Sequence, residues 1–360
     1  MAESTYQTRR ERVLALLQAQ QTDAAAFSHL PNIRYLTGFS GSNAIVVLSE
    51  RESVLYTDPR YELQAAEETD CKLRVVRGPL WPEVTKAARR RRFKSLGLET
   101  ELLAQAEYAR IGEQLANGAQ LGDVSGLVER LRAVKDAGEI AAIRRSMEVC
   151  GRAYLQTMNK LRVGMSETGI AAELEYRMRR LGAERPAFET IVAAGPRSAL
   201  PHAQPTGSRV QANQLVLVDM GASLDGYASD MTRMSHTGRP NAQTKRLYAA
   251  VLEAQLAALD AVRPGVKCSS IDGIARKTLQ RRGLAEFFVH STGHGLGLEI
   301  HETPRIGRRA KDKLEQNMVI TIEPGAYIPG QGGVRIEDTV LVTARGAEVL
   351  TAVPKGLLVL

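Results

Sequence analysis

The chain has 360 residues, 44% hydrophobic and 24% charged, and carries a formal net charge of +8 from 48 Lys and Arg against 40 Asp and Glu. That length exceeds what one hydrophobic core usually serves, so two soluble domains are expected. The longest apolar stretches, such as residues 44–48, are, like residues 215–218, strand-length and too short to cross a bilayer.

Residues 1–12 are polar and lack the apolar run of a secretory signal, which predicts a cytoplasmic protein. Cys71, Cys150 and Cys268 are too few and too scattered for a disulfide framework or a thiolate metal site, and read as small core residues. The basic excess is densest at Arg89, Arg90, Arg91 and Arg92, whose spacing after Val84, Ala87 and Ala88 predicts a helix C-terminus meeting the negative pole of the dipole. Elsewhere the excess is diffuse. No nucleic-acid or membrane partner is expected.

In chain order, residues 9–20 carry apolar positions at helical spacing. Strands are expected over 24–27, 43–48 and 53–57, the last two joined by a polar turn at Glu50-Arg51-Glu52. A helix follows over 59–68, and strand–helix alternation continues to about residue 120. This is a small α/β domain, and the boundary is placed near residue 130, where the texture turns Ala-rich, charged and helical. Helices over 139–161 and 166–182 lead into strands with Gly and Pro turns; helices over 242–262 and 269–282 again lead into strands. Helices then strands, twice over, predict a duplicated α+β domain.

The chemistry sits in three segments. In Leu215-Val-Leu-Val-Asp219 an apolar strand ends on a carboxylate, and after the turn signal Asp225-Gly226 the chain returns through Asp230. A hairpin centred between Leu224 and Asp225 pairs Asp219 with Asp230; one centred on Asp225-Gly226 shifts the pairing by a register step. Either way the two carboxylates share a face. The pattern repeats in Val319-Ile-Thr-Ile-Glu323 and the return strand Val334-Arg335-Ile336-Glu337, where Glu323 and Glu337 have their midpoint at Gly330. Arg335 lies on the same face as Glu337, either as a salt bridge holding the ribbon or as the group orienting a ligand or substrate carboxylate. Between the ribbons, His290, His294 and His301 fall within twelve residues, interleaved with glycines that let backbone and ligand approach closely.

Facing carboxylates repel, and burying them is costly without a cation between them. Four carboxylates with one or two imidazoles suit a pair of divalent ions, Mn²⁺ above all, with Co²⁺ or Zn²⁺ as alternatives. Two ions sharing carboxylates can hold a water between them, lower its pKa and polarise a carbonyl. The residues themselves therefore point to metal-assisted hydrolysis.

These segments, with Asn32-Ile-Arg-Tyr-Leu-Thr-Gly-Phe39 and the stretch from Ala194-Gly195-Pro196 to Pro201-His202, resemble the pita-bread-fold metallopeptidases, the group of Xaa-Pro dipeptidase (prolidase), aminopeptidase P, methionine aminopeptidase and the non-metal creatinase. The resemblance covers essentially the whole chain. It implies an α/β creatinase-like domain over residues 1–130 and an α+β pita-bread catalytic domain, with an internal pseudo-twofold repeat, over 131–360. It implies that Asp219 binds one metal, that His294 and Glu323 bind the other, and that Asp230 and Glu337 bridge both. Glu323 would also accept a proton from the attacking water. His202 and His301 match pocket histidines that help stabilise the tetrahedral intermediate, His290 matches a further pocket position, and Arg335 matches the family arginine beside the bridging glutamate. Ser291 stands where relatives often have Gly.

The substrate class also follows from the resemblance: a small peptide with proline in second position, whose imide lacks the N–H that ordinary peptidases need. The 130 residues before the catalytic part disfavour methionine aminopeptidase, and the complete ligand set disfavours creatinase. Xaa-Pro dipeptidase and aminopeptidase P remain, with a homodimer as the family expectation. A non-catalytic binding protein on the same shell is the alternative from another class. His29 and His236 have no motif partner and read as non-catalytic.

Overall fold

The computed structural model describes residues 5–115 and 119–360. The first four positions of the polar start, and positions 116–118 of the expected strand–helix alternation, lie outside the described residues. The chain divides into two compact units, Met1–Arg132 and Ala133–Leu360. Among the described residues no helix is long and apolar enough to cross a membrane.

The first unit is built on a six-stranded sheet in the order Lys72–Val75, Glu52–Thr57, Ala44–Ser49, Ala24–Phe27, Ser95–Leu98, Gln120–Asp123. Ala24–Phe27 runs antiparallel to Ala44–Ser49 and parallel to Ser95–Leu98. Both of its faces are covered, which is why the strand reads as an unbroken small-apolar run. The turn before Glu52–Thr57 is shorter than the sequence suggested, because Glu52 already pairs with Ser49. The helix expected from Pro59 begins instead as a 3₁₀ turn, Pro59–Tyr61, since Asp58 accepts from the Arg60 N–H; the α-helix proper is Glu62–Glu68. The arginine cluster closes the helix Leu80–Arg91, with Arg92 in the left-handed conformation after it (φ 57°). Glu99, almost wholly buried, accepts from the Ser28 and His29 N–H groups and from Asn32, so it caps the helix Leu30–Thr37.

The second unit has two helix pairs and two main sheets. The helix Ala137–Met158 starts at a capping box, Asp136 accepting from the Glu139 N–H while Glu139 accepts from the Asp136 N–H. Ser166 and Asn241 cap Glu167–Arg180 and Ala242–Asp260 by accepting from the Gly169 and Thr244 N–H groups, and Cys268–Arg281 completes the second pair. One sheet runs Leu358–Val359, Met231–His236, Leu215–Met220, Ile191–Ala194; the other runs Glu302–Ile306, Gly293–Gly295, Val319–Ile322, Asp338–Val342, Ala347–Val349. Along Leu215–Met220, Val216, Val218 and Met220 pack with the first helix pair, whereas Leu215 and Leu217 pack with the second helix pair and the other sheet. Period-two alternation thus places Asp219 on the Leu215/Leu217 face. The three cysteines are buried, and burial pushes the Cys150 and Cys268 thiols up to about 12.

Behind the second ribbon lies a buried charged cluster. Arg233 donates to Asp338 Oδ1 at 2.8 Å and to the Glu337 carbonyl, while Asp338 Oδ2 accepts from Gln255 and pairs with Lys355. The two side chains of the central pair are 2% and 0% exposed, so removing one partner leaves a buried charge uncompensated. Asp338→Ala is expected to destabilise the second unit by roughly 3–5 kcal/mol, read by urea unfolding. A loss below about 1 kcal/mol would show the pair to be dispensable.

Candidate metal centre

The first ribbon pairs Leu215–Met220 with Met231–His236 so that Asp219 stands opposite Thr232, and Leu224 stands opposite Tyr227 at its tip. Asp225 (φ 51°) and Gly226 (φ 79°) both adopt the left-handed conformation that a two-residue type I′ turn requires. Of the two registers the sequence allowed, the one centred on Asp225-Gly226 is realised, and Asp230 is therefore the diagonal neighbour of Asp219 on the same face. A side chain at Gly221, across from Asp230, would run into the Ser229 carbonyl at 2.0 Å.

The second ribbon keeps one frame through two ladders. Ile322 pairs with Asp338 on one side, and Gly325 pairs with Arg335 on the other. Glu323 and Glu337 lie between them in that frame, about the turn at Gly330 (φ 76°). His294 lies on the short strand Gly293–Gly295, squeezed between neighbours: a Cβ on Gly293 would come within 1.9 Å of the Thr321 carbonyl, and one on Gly295 within 2.3 Å of the Thr303 carbonyl. The glycines are what let this strand fit.

All nine residues singled out in the sequence, His202, Asp219, Asp230, His290, His294, His301, Glu323, Arg335 and Glu337, line one cavity of about 320 Å³. Candidate ligand atoms of Asp230, His294 and Glu337 lie within 4.8 Å of one another. His294 Nε2 is 3.3 Å from Glu323 Oε1 and 3.5 Å from Asp230 Oδ2. Its Nδ1 faces the Gly295 carbonyl at 3.0 Å, which assigns the proton to Nδ1 and leaves the Nε2 lone pair facing the carboxylates. Burial lowers the pKa of His294, so the neutral ring is favoured. A lone pair aimed at two carboxylate oxygens is repulsive unless a cation lies between.

The carboxylates say the same. Burial, followed by the facing carboxylates, pushes Asp230 and Glu337 well above the ordinary range. Burial raises Glu323 to about 7, against the opposing pull of Arg335. Asp219 Oδ1 and Glu337 Oε1 are buried with no hydrogen-bond partner among the described residues. Buried acceptors without donors are rare in folded proteins, and a cation satisfies them. The residues present thus fit divalent metal ions.

Arg335 is the hub of the protein's own contacts here. It donates to Asp219 Oδ2, to Thr232 Oγ1 at 3.0 Å, to the Tyr327 hydroxyl at 2.7 Å and to the Pro201 carbonyl at 3.1 Å. It orients a candidate ligand carboxylate and also joins the two ribbons. Tyr327 was missed in the sequence, although it falls on the Glu323/Gly325 face by period-two spacing. Its hydroxyl bonds His290 Nε2 at 2.8 Å, and His290 Nδ1 faces the Ser291 carbonyl at 2.8 Å. Burial, then Arg335, lowers the His290 pKa to about 3, so it is a neutral wall residue. Thr321, also missed, donates from Oγ1 to Glu323 Oε1 and accepts from the His294 N–H. His301 packs edge-on against His294 with centroids 4.4 Å apart. His29 lies in the first unit, 4.0 Å from Glu129, and His236 is buried against the Gly238 carbonyl.

Comparisons with known proteins identify the family. Residues 141–344 match the family described as metallopeptidase family M24, and residues 9–134 match the creatinase/prolidase N-terminal domain. A Pyrococcus furiosus Xaa-Pro dipeptidase is 37% identical over 354 residues, spanning 97% of this chain and 99% of that protein. The structure of an X-Pro aminopeptidase from Thermotoga maritima superposes with a TM-score of 0.92 at 38% identity, covering 98% of this chain and 99% of that one. That of a Xaa-Pro dipeptidase from Bacillus anthracis gives 0.95 at 36% identity, covering 99% and 100%. The chain belongs to metallopeptidase family M24, preceded by a creatinase/prolidase-type N-terminal domain, and is a metal-dependent peptide hydrolase.

Proposed function

We propose that the chain is a Xaa-Pro dipeptidase using two divalent cations. Asp219 would hold one cation, His294 and Glu323 would hold the other, and Asp230 and Glu337 would be shared between them. The observation that carries this reading is the cavity on which four carboxylates and His294 converge, with Asp219 Oδ1 and Glu337 Oε1 unpartnered. We assign residues 131–360 to catalysis and 1–130 to the accessory domain. The oxygen-rich donor set favours Mn²⁺. The family resemblance supports a homodimer, located in the cytoplasm.

When bound, the cations supply Lewis acidity that polarises the scissile carbonyl and lowers the pKa of the attacking water. The protein's own residues do the rest. Glu323 would take up the proton released by that water. His202 and His301 at the cavity rim donate to the oxygen on which charge develops. Arg335 holds Asp219 in place, and His290 with Tyr327 closes the wall. Phe188, Ile191, Pro201, Pro205 and Ile300 supply apolar lining against which a proline ring can pack, and no group in this account has to accept from the missing imide N–H. Aminopeptidase P is the second reading, favoured by the likeness to the Thermotoga X-Pro aminopeptidase. Retention of the full ligand set argues against a non-catalytic binding protein.

Hydrolysis of Ala-Pro, Ala-Ala and Ala-Pro-Ala, measured side by side with Mn²⁺ and a chelator control, tests the assignment. Chelator-sensitive cleavage of Ala-Pro alone is expected; cleavage of the tripeptide after Ala makes the protein an aminopeptidase P, and no cleavage with Mn²⁺, Co²⁺ or Zn²⁺ removes the proline reading. Asp230→Asn should abolish hydrolysis and lower bound metal together, and full activity in that variant would exclude Asp230 as a ligand.

The raised carboxyl pKa values also set a pH dependence. Stripped of cations, the folded chain holds protons that the unfolded chain has already released. The contribution of these carboxyls to stability is therefore greatest in acid and falls as pH rises from the ordinary glutamate value of 4.5 through about 7 for Glu323. Bound cations cancel that penalty. The rise in Tm on adding Mn²⁺ to chelator-treated protein should be larger at about pH 8 than at about pH 5. An equal or smaller rise at the higher pH would contradict cation binding by these carboxylates.

A further inference from the structure

Glu167 lies outside the cavity and does not line it. Its carboxylate is fully buried, 0% exposed, yet it has no need of a metal because five contacts from protein donors satisfy it. The Ala194 N–H donates to Oε1 at 2.9 Å, and Arg197 Nε reaches both oxygens at 3.1 and 3.0 Å. On the other side Thr206 donates to Oε2 from its N–H at 3.0 Å and from its hydroxyl at 2.8 Å. These donors come from the two ends of one segment, residues 194–206. The same helix end takes up the segment's far side through its free N–H groups, Thr168 N–H donating to the Thr206 carbonyl and Glu167 N–H to the Ser208 carbonyl.

What the segment carries between those ends is one wall of the cavity: Pro201, His202, Ala203, Gln204 and Pro205. Arg197 closes its base by donating to the Gln204 carbonyl at 2.7 Å, and Arg335 holds its middle at the Pro201 carbonyl. His202 itself is exposed and has no hydrogen bond of its own among the described residues, so its position is set by the backbone that carries it. That backbone is tied at both ends to one carboxylate. The geometry points to Glu167 as the positioning residue for His202, a buried clamp that fixes the substrate-facing loop without touching substrate. The proposal rests on the reading of His202 as a substrate-contacting group.

A glutamine at 167 keeps the shape but turns one acceptor into an NH₂ donor facing other donors, so one end of the segment must let go. In the Mn²⁺-loaded full chain, Glu167→Gln should speed amide exchange at Ala194 and Thr206, and through residues 195–205, by about tenfold or more, with bound Mn²⁺ unchanged. The kcat/KM for Ala-Pro should fall by about 10- to 100-fold, the cost of misplacing a group by roughly an ångström. In a His202→Ala background the same change should cost almost nothing further, because the clamp acts through that side chain. Arg197→Gln, at a half-buried position, is the milder variant should Glu167→Gln fail to fold, and the same pattern is expected of it at smaller size. Unchanged exchange in 195–205 in a folded variant overturns the clamp, and a full additive loss in the His202→Ala background overturns its action through His202. The exchange measurement stands even if wild-type protein cleaves no Xaa-Pro peptide, in which case the substrate reading fails and the clamp does not.

Discussion

The second unit is organised around a repulsion. Asp219, Asp230, Glu323 and Glu337 are brought to one buried cavity by two hairpins, and burial with mutual charge drives three of them well above their ordinary pKa. A chain does not gather such groups for stability, since each buried charge costs several kcal/mol unless it is paired. Once the carboxyls have lost their protons the arrangement is balanced by cations, and the rest of the site is shaped to receive them: His294 turned by the Gly295 carbonyl so that its lone pair faces inward, and Arg335 fixing one oxygen of Asp219 while leaving the other unpaired.

Much of this was legible in the sequence because its causes are local. An apolar strand ending on an acid, a turn of Asp-Gly or Gly residues and a return strand fix which side chains share a face, whatever the surrounding fold. Asp219 with Asp230 and Glu323 with Glu337 follow from that alone. The exact register of the first ribbon did not, since both centres of the turn satisfy the same pattern. The structure selects the one in which Asp225 and Gly226 take positive φ. Helix starts at Asp136, Ser166 and Asn241 are likewise local, set by side chains that accept from N–H groups three residues on.

What was not legible depends on contacts far apart in the chain. The Arg335 contacts with Asp219, 116 positions away, and with Pro201, 134 positions away, join its two readings, since the same guanidinium pairs with a candidate ligand carboxylate and ties the two ribbons together. Tyr327 and Thr321 sit in strands whose pattern marks them as inward, but only the fold shows that one bonds His290 and the other links Glu323 to the His294 backbone. The helix expected at Pro59 began as a 3₁₀ turn because an aspartate cap competed with the propensity of the following residues.

The placement of basic groups shows how the fold reserves the cavity for cations. Two arginines are buried beside the ribbons, and each is committed elsewhere. Arg233 spends its guanidinium on Asp338 and on backbone carbonyls, including that of Glu337, and Arg335 spends its own on Asp219, Tyr327 and Pro201. Among the described residues neither Lys nor Arg pairs with Asp230, Glu323 or Glu337, although the chain has 48 such residues and a net charge of +8. A basic side chain in that position would neutralise the carboxylates and end the site's affinity for metal. The arginines instead hold the backbone and the outer edge of the ribbons, which lets the inner oxygens stay both rigid and unpaired. Rigid, unpaired and buried oxygens are costly in a bare protein and are the property that a divalent ion requires of its ligands.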